Sequence, residues 1–177
     1  NGALEILRKK EKCKLLEVTD LYGSELRKEV RSVTGGLLVQ SVDAGGMIES
    51  EIDTVSNRRP TQAEFRNLVF AWTACKHVKS NAIVLANGLA TTGIGGGQPS
   101  RVQSVEIAIS TAGQTATGSV MASDAFFPFA DGIELAAKAG ITAVIQPGGS
   151  IRDNEVIDAV NEYSMTMVFT GKRHFKH

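Results

Sequence analysis

Apolar residues recur at helical spacing from Phe65 through Leu68, Val69 and Trp72 to Cys75. Pro60-Thr61 precedes them, and proline suits a first helical turn. The same period predicts helices over 100–112, with Val102, Val105, Ile109 and Ala112 on one face, and over 133–139, where Gly140 serves as a C-cap. Further helices are expected over 153–163 and, shorter and amphipathic, over 3–10. Between them lie short apolar runs. Asn81–Ala86 is almost wholly apolar, as suits a strand buried on both faces. Residues 142–145 and 165–169 read as strands, as do 14–18 and 35–42. Gly88 and the glycines at 93–97 punctuate a hairpin, or a strand and loop. Residues 19–32 read as a surface excursion and 43–59 as a polar loop. Helices alternating with short apolar strands predict a layered α/β fold, with helices covering a largely parallel sheet.

Composition changes this picture little. At 177 residues, with 19 basic and 19 acidic side chains, the chain is neutral and suits one domain or one lobe of a larger unit. Neutrality gives no sign of a nucleic-acid or membrane partner. No apolar run reaches the roughly 18 residues that span a bilayer, and no signal peptide is visible. Cys13 and Cys75 have no C-x-x-C spacing, so a zinc site or disulfide framework is not expected and a reducing cytoplasm fits. The chain opens at Asn1-Gly2 without methionine, which suggests a piece of a longer polypeptide.

Four segments carry candidate chemistry. Gly93-Ile94-Gly95-Gly96-Gly97-Gln98 has Gln98 where a dinucleotide fingerprint needs glycine, and no GK[ST] follows. Its glycines allow close approach of a ligand or of another backbone. Ser100 is placed to cap the next helix, and Arg101 there is either a fork for phosphate or a solvated cation. Pro147–Asp153 (PGGSIRD) is a second strand-to-helix turn, at the carboxyl end of a strand where α/β sheets bind ligands; a plain Ser or Asp cap is the alternative. Ser123–Phe129 (SDAFFPF) sets three phenylalanines around a proline, as pocket wall or as core filler. Lys76-His77 resembles a base with a cationic helper, but basic residues at a helix C-terminus also complement its dipole. Asn81 needs a hydrogen-bond partner at the start of a buried strand. The tail KRHFKH could fray, or fold back so that Arg173 completes a phosphate site.

KSNAIV (79–84), GIGGGQPSRVQSVEIA (93–108), SDAFFPFAD (123–131), ITAVIQPGGSIRDNEV (141–156) and VFTGKRHFKH (168–177) together resemble the AICAR transformylase/IMP cyclohydrolase family. The resemblance narrows to the C-terminal half of the transformylase domain, dense from Pro60 onward and thinner over 1–59. It implies a cytidine-deaminase-like α/β/α lobe over 60–177, preceded by a connecting segment over 1–59. It implies formyl transfer from 10-formyltetrahydrofolate to AICAR in purine biosynthesis, by a homodimer or by pairing with an upstream lobe. Carried over, Asn81, Arg101, Phe126 and Arg173 would contact AICAR, with Asn81 catalytic. Val102, Asp131, Ser150 and Ile151 would serve the folate, and Ser80 and Asp124 a potassium ion. The family's Lys-His pair belongs to an upstream segment, so Lys76-His77 is a look-alike and the chain alone would lack its base. The family's FRD reads Phe129-Ala130-Asp131 here, one cation fewer beside the folate. The alternative is a non-catalytic ribotide- or folate-binding module. A deaminase would need H-x-E with P-C-x-x-C, which the sequence lacks.

Overall fold

The structure is a computed structural model that describes residues 2–10, 14–16, 28–43, 45–46 and 49–176. The chain forms two compact units, Asn1–Ala44 and Gly45–His177.

In the first unit, helix α1 spans Gly2–Arg8. Strands β1 (Lys28–Val33) and β2 (Gly36–Ser41) form an antiparallel ribbon, turned at Gly35 with φ 85°. β1 falls in what reads as a surface excursion. Its alternation of Lys, Glu and Arg with valine is that of an exposed ribbon, so no apolar run marks it. Residues 14–16 are not in a strand, and the rest of that expected strand lies outside the described residues.

The second unit is built on a six-stranded sheet. Its strands are β3 (Asp53–Thr54), β4 (Ile83–Asn87), β5 (Ala90–Gly95), β6 (Val120–Ser123), β7 (Ala143–Gln146) and β8 (Thr166–Phe169). They lie side by side in the order β3-β8-β7-β6-β4-β5. Four helices cover it: α2 (Gln62–Cys75), α3 (Arg101–Ala112), α4 (Asp131–Lys138) and α5 (Asp153–Glu162). Leu68, Trp72 and Cys75 of α2 pack on Val84, Ala86, Ala122 and Ile145. Val105 of α3, Ile133 of α4 and Val156 of α5 pack on Ile83, Leu85, Met121 and Val144. Successive residues of β4 thus feed opposite cores, which explains its unbroken apolar run. The result is the expected α/β/α layering.

The sheet is mixed rather than largely parallel: only β6, β7 and β8 run parallel. Two facts force this. Gly88 and Leu89, at φ 58° and 59°, make a two-residue turn that must return β5 antiparallel to β4. Helix α3 then crosses over β4, so β6 lands parallel to β5 and antiparallel to β4. β3 falls within the expected polar loop and pairs antiparallel to β8 at the edge. Residues 49–59 belong to the second unit, where Arg58 forks onto Glu64 at 2.9 Å and donates to Thr142 O at 2.7 Å. Thr61 caps α2 in a reciprocal box with Glu64.

The glycines before α3 serve packing. A Cβ on Gly93 would overlap the Ala108 carbonyl, and one on Gly95 the Ser104 carbonyl, so helix and strand meet backbone to backbone.

Candidate functional site

The segments that leave β6, β7 and β8 (124–129, 147–152 and 170–176) emerge at the carboxyl ends of the parallel strands. The antiparallel pairings bring Asn81, just before β4, and the start of α3 to the same end. A cleft of about 490 Å³ opens there, lined by Asn81, Arg101, Val102, Phe126, Asp131 and Arg173 among others. The four residues assigned to AICAR, distant in sequence, therefore share one cavity with two of those assigned to folate.

Its floor is a buried polar network. Arg101 Nη1 donates to Asp124 Oδ1 at 2.5 Å and to Ser123 Oγ at 2.7 Å, and Nη2 donates to Asn81 Oδ1 at 2.9 Å. The Arg101 side chain is 9% exposed and that of Asp124 wholly buried. Three of the guanidinium's N–H groups are thus committed to protein, leaving Nε–H and one Nη2–H. Asn81 Nδ2 donates to Gln98 O at 2.9 Å, and the Asn81 backbone carbonyl accepts from Ser104 Oγ at 2.9 Å. The Ser80-Asn81 peptide bond is cis. Ser100 occupies the cap position of α3 but makes no side-chain cap bond, contrary to expectation, and the first turn opens on the cleft.

The SDAFFPF run divides its rings. Phe127 is core, 1% exposed, with its amide donating to buried Gln146 Oε1 at 2.9 Å. Gly132 sits against that ring, where a Cβ would crowd it. Phe126 is half-buried, and the Arg173 guanidinium lies 4.8 Å above its ring centre. Phe129 is 47% exposed, so core filler does not describe it. Ala130 packs on the core.

The tail folds back and is fastened. His174 N donates to Asp124 O at 3.0 Å, Ser80 N to Lys176 O at 2.9 Å, and Lys176 N to Ser80 Oγ at 3.2 Å. His174 is buried with its ring centre 4.8 Å from that of Trp72. This holds Arg173 over the cleft.

Ser150 and Ile151 line an adjoining cleft of about 450 Å³ that shares Phe126, Phe129 and Arg173 with the first. Ser150 Oγ accepts from Arg152 N at 3.1 Å, and Ile151 is fully exposed. Lys76 Nζ donates to Gly45 O at 2.8 Å, and neither it nor His77 lines either cleft.

Ser80 and Asp124 are the two residues assigned to a cation. Asp124 Oδ2 is buried without a hydrogen-bond partner, but Arg101 already balances its charge. The Ser80 hydroxyl is engaged with the tail. Among the described residues no group of three or more His, Cys, Asp or Glu could hold a metal ion, and no helix is long and apolar enough to cross a membrane. Burial, more than the nearby Asp124 charge, pushes the Cys75 thiol far above its ordinary pKa.

A family model described as "AICARFT/IMPCHase bienzyme" matches residues 1–111. The "Bifunctional purine biosynthesis protein PurH" of Halalkalibacterium halodurans is 53% identical over 175 residues, 99% of this chain and 34% of that protein. Proteins of the same name from Anoxybacillus flavithermus and Caldicellulosiruptor saccharolyticus are 54% and 51% identical, each with 99% of this chain and 34% of the relative covered. The chain spans about a third of the length of these relatives. Among solved structures, Acinetobacter baumannii RibD (form 2) is similar at a TM-score of 0.42 and 12% identity, covering 59% of this chain and 33% of that one.

Proposed function

The chain belongs to the AICARFT/IMPCHase bienzyme family, and from that premise we propose that it is the substrate-binding lobe of an AICAR transformylase. It takes part in moving a formyl group from 10-formyltetrahydrofolate to the amine of AICAR. The observation that carries this reading is the convergence of Asn81, Arg101, Phe126 and Arg173 on one cleft.

The chemistry assigns each residue a task. The ribotide phosphate is an anion, and the uncapped first turn of α3, with the two remaining N–H groups of Arg101, suits it. Phe126, with Arg173 above it, gives a flat aminoimidazole an apolar face and a cation. In the transfer, the amine nitrogen bonds to the formyl carbon and an oxyanion forms. The bond from that carbon to folate N10 then breaks, and the amine loses a proton while N10 gains one. Asn81, fixed at both ends by Arg101 and Gln98, keeps one amide N–H to polarise the formyl oxygen or orient the amine. The resemblance puts the proton acceptor in a Lys-His pair of an upstream lobe, and His77 lies outside the clefts.

Calorimetry with AICAR tests the binding half: micromolar binding to the wild type, lost in Arg173→Ala, supports it, and no binding to the wild type refutes it. Mixing with an upstream-lobe polypeptide tests the catalytic half. Restored formyl transfer supports it, and full activity of the chain alone overturns the missing base. Binding without any restored transfer favours the second reading, a ribotide-binding module, which the position of His77 motivates.

A further inference from the structure

Gly171, at φ 64°, turns the chain away from β8 into a terminal strap. Among the strap's described residues, 171–176, His174 alone is buried. Arg173 and Phe175, on either side of it, both line the larger cleft, whereas His174 does not. This alternation is that of an extended chain, so the face His174 takes decides the face its neighbours take. His174 faces α2. It is 5% exposed, and its ring centre lies 4.8 Å from that of Trp72, with the planes tilted by 52°, a spacing and tilt that ring pairs favour. Trp72 is itself buried, packed with Leu68 and Cys75 on the sheet.

We propose that His174 is a positioning residue for the ribotide site: its ring, clasped on Trp72, aims Arg173 over Phe126 and so sets the affinity for AICAR without touching it. This rests on the AICAR half of the function above and deepens it. The other fastenings fix where the strap runs, not which side chain faces the cleft. Asp124 O, Ser80 N and Ser80 Oγ bond to the strap's backbone, and such bonds accept any side chain at those positions. Lys172 pairs with Glu51 Oε2 at 2.7 Å, but both side chains are over two-fifths exposed, where a pair contributes little. The bond from Lys176 Nζ to His77 O, at 3.0 Å, is exposed as well. The buried ring is the clasp that depends on sequence. Without it, Arg173 must be ordered when the ligand arrives rather than beforehand, and that ordering is subtracted from the affinity. A terminus that is not tied down is ordinarily among the least ordered parts of a domain.

The test is a double-mutant cycle on the full chain, read by calorimetry with AICAR at a temperature where circular dichroism shows every variant folded. His174→Ala should weaken binding about tenfold, the effect of ordering one long side chain on binding. His174→Phe, whose ring refills the slot, should stay within about twofold of wild type. In an Arg173→Gln background, where binding is already weakened, His174→Ala should cost less than about twofold more, because His174 acts through Arg173. Should the alanine variant not fold, His174→Leu takes its place, with a loss of about threefold and the same dependence on Arg173. Equal losses from His174→Ala in the two backgrounds overturn the proposal. Wild-type affinity in His174→Ala also overturns it. Trp72 is the chain's one tryptophan, and a red shift of its emission in that variant would show that the clasp opened without consequence. Absence of AICAR binding by wild type refutes the function proposed above and this role with it, whereas equal losses refute the role alone.

Discussion

Arg101 and Asp124 form a buried ion pair, Nη1 to Oδ1 at 2.5 Å, beneath the cleft that Arg101 also lines. The arginine therefore has two duties: it balances a carboxylate wholly withdrawn from water, and it presents its remaining N–H groups to a ligand. A buried pair is a weak source of stability, yet removing one partner leaves an uncompensated charge. Asp124→Ala should cost about 3–5 kcal/mol, a fall of about 10 °C in melting temperature. The double variant Arg101→Met, Asp124→Leu should recover most of that loss without recovering AICAR binding. Thermal unfolding followed by circular dichroism and calorimetry on both variants decides it. Full binding by the double variant would reduce the pair to a structural element.

The approach of α3 to β5 allows no Cβ at Gly95. Gly95→Ala should displace the helix start and with it Arg101, costing about 1–3 kcal/mol through overpacking. Gly46→Ala is the control, since nothing lies within 4 Å of its Cβ position. Equal melting temperatures for the two variants would show that the contact is not confining.

Much of this was legible in the sequence. Phe65 to Cys75 and Val102 to Ala112 announced α2 and α3 by their period, and the NAIVLA run announced β4 by its lack of polar interruption. β6 sets only Val120 and Met121 as large apolar residues among glycine, serine and alanine, so no apolar run marks it and no strand is read there. Neither does spacing reveal that Arg101 pairs through one N–H with Asp124, 23 positions away, because only the crossover of α3 brings them together. The glycines at 93 and 95 read equally well as ligand contact or backbone contact, and the packing of α3 decides for the backbone. Composition leaves the three phenylalanines between pocket wall and core filler, and the fold separates them, with Phe127 in the core and Phe129 on the surface.

Cys75 donates weakly to the carbonyls of Ala82 and Ala122, at 3.5 and 3.8 Å, and is 0% exposed. With its pKa raised by burial, it has almost no thiolate at neutral pH. In a Cys13→Ser chain, a thiol reagent should label Cys75 only at the rate of unfolding, and labelling should accelerate in step with added denaturant. Rapid stoichiometric labelling in native buffer would show that α2 opens away from the sheet.

Glu64 joins the cap of α2 to strands β7 and β8 through Arg58, which also donates to Ser164 O at 3.1 Å. The Arg58 hydrogen bonds are the chief cause that lowers the Glu64 pKa from 4.5 to about 2. A carboxylate whose folded pKa lies below its unfolded one binds protons more readily when unfolded. Its contribution is therefore complete above pH 4.5 and is lost as pH falls toward about 2. Glu64→Gln should be less stable than wild type at neutral pH, and the gap should narrow steadily across that acid window. Urea midpoints measured from pH 7 down to the acid limit of the fold would show it. Parallel curves for the two proteins would mean that Arg58 does not hold Glu64 ionised, and that the clamp between the cap and the sheet is not electrostatic.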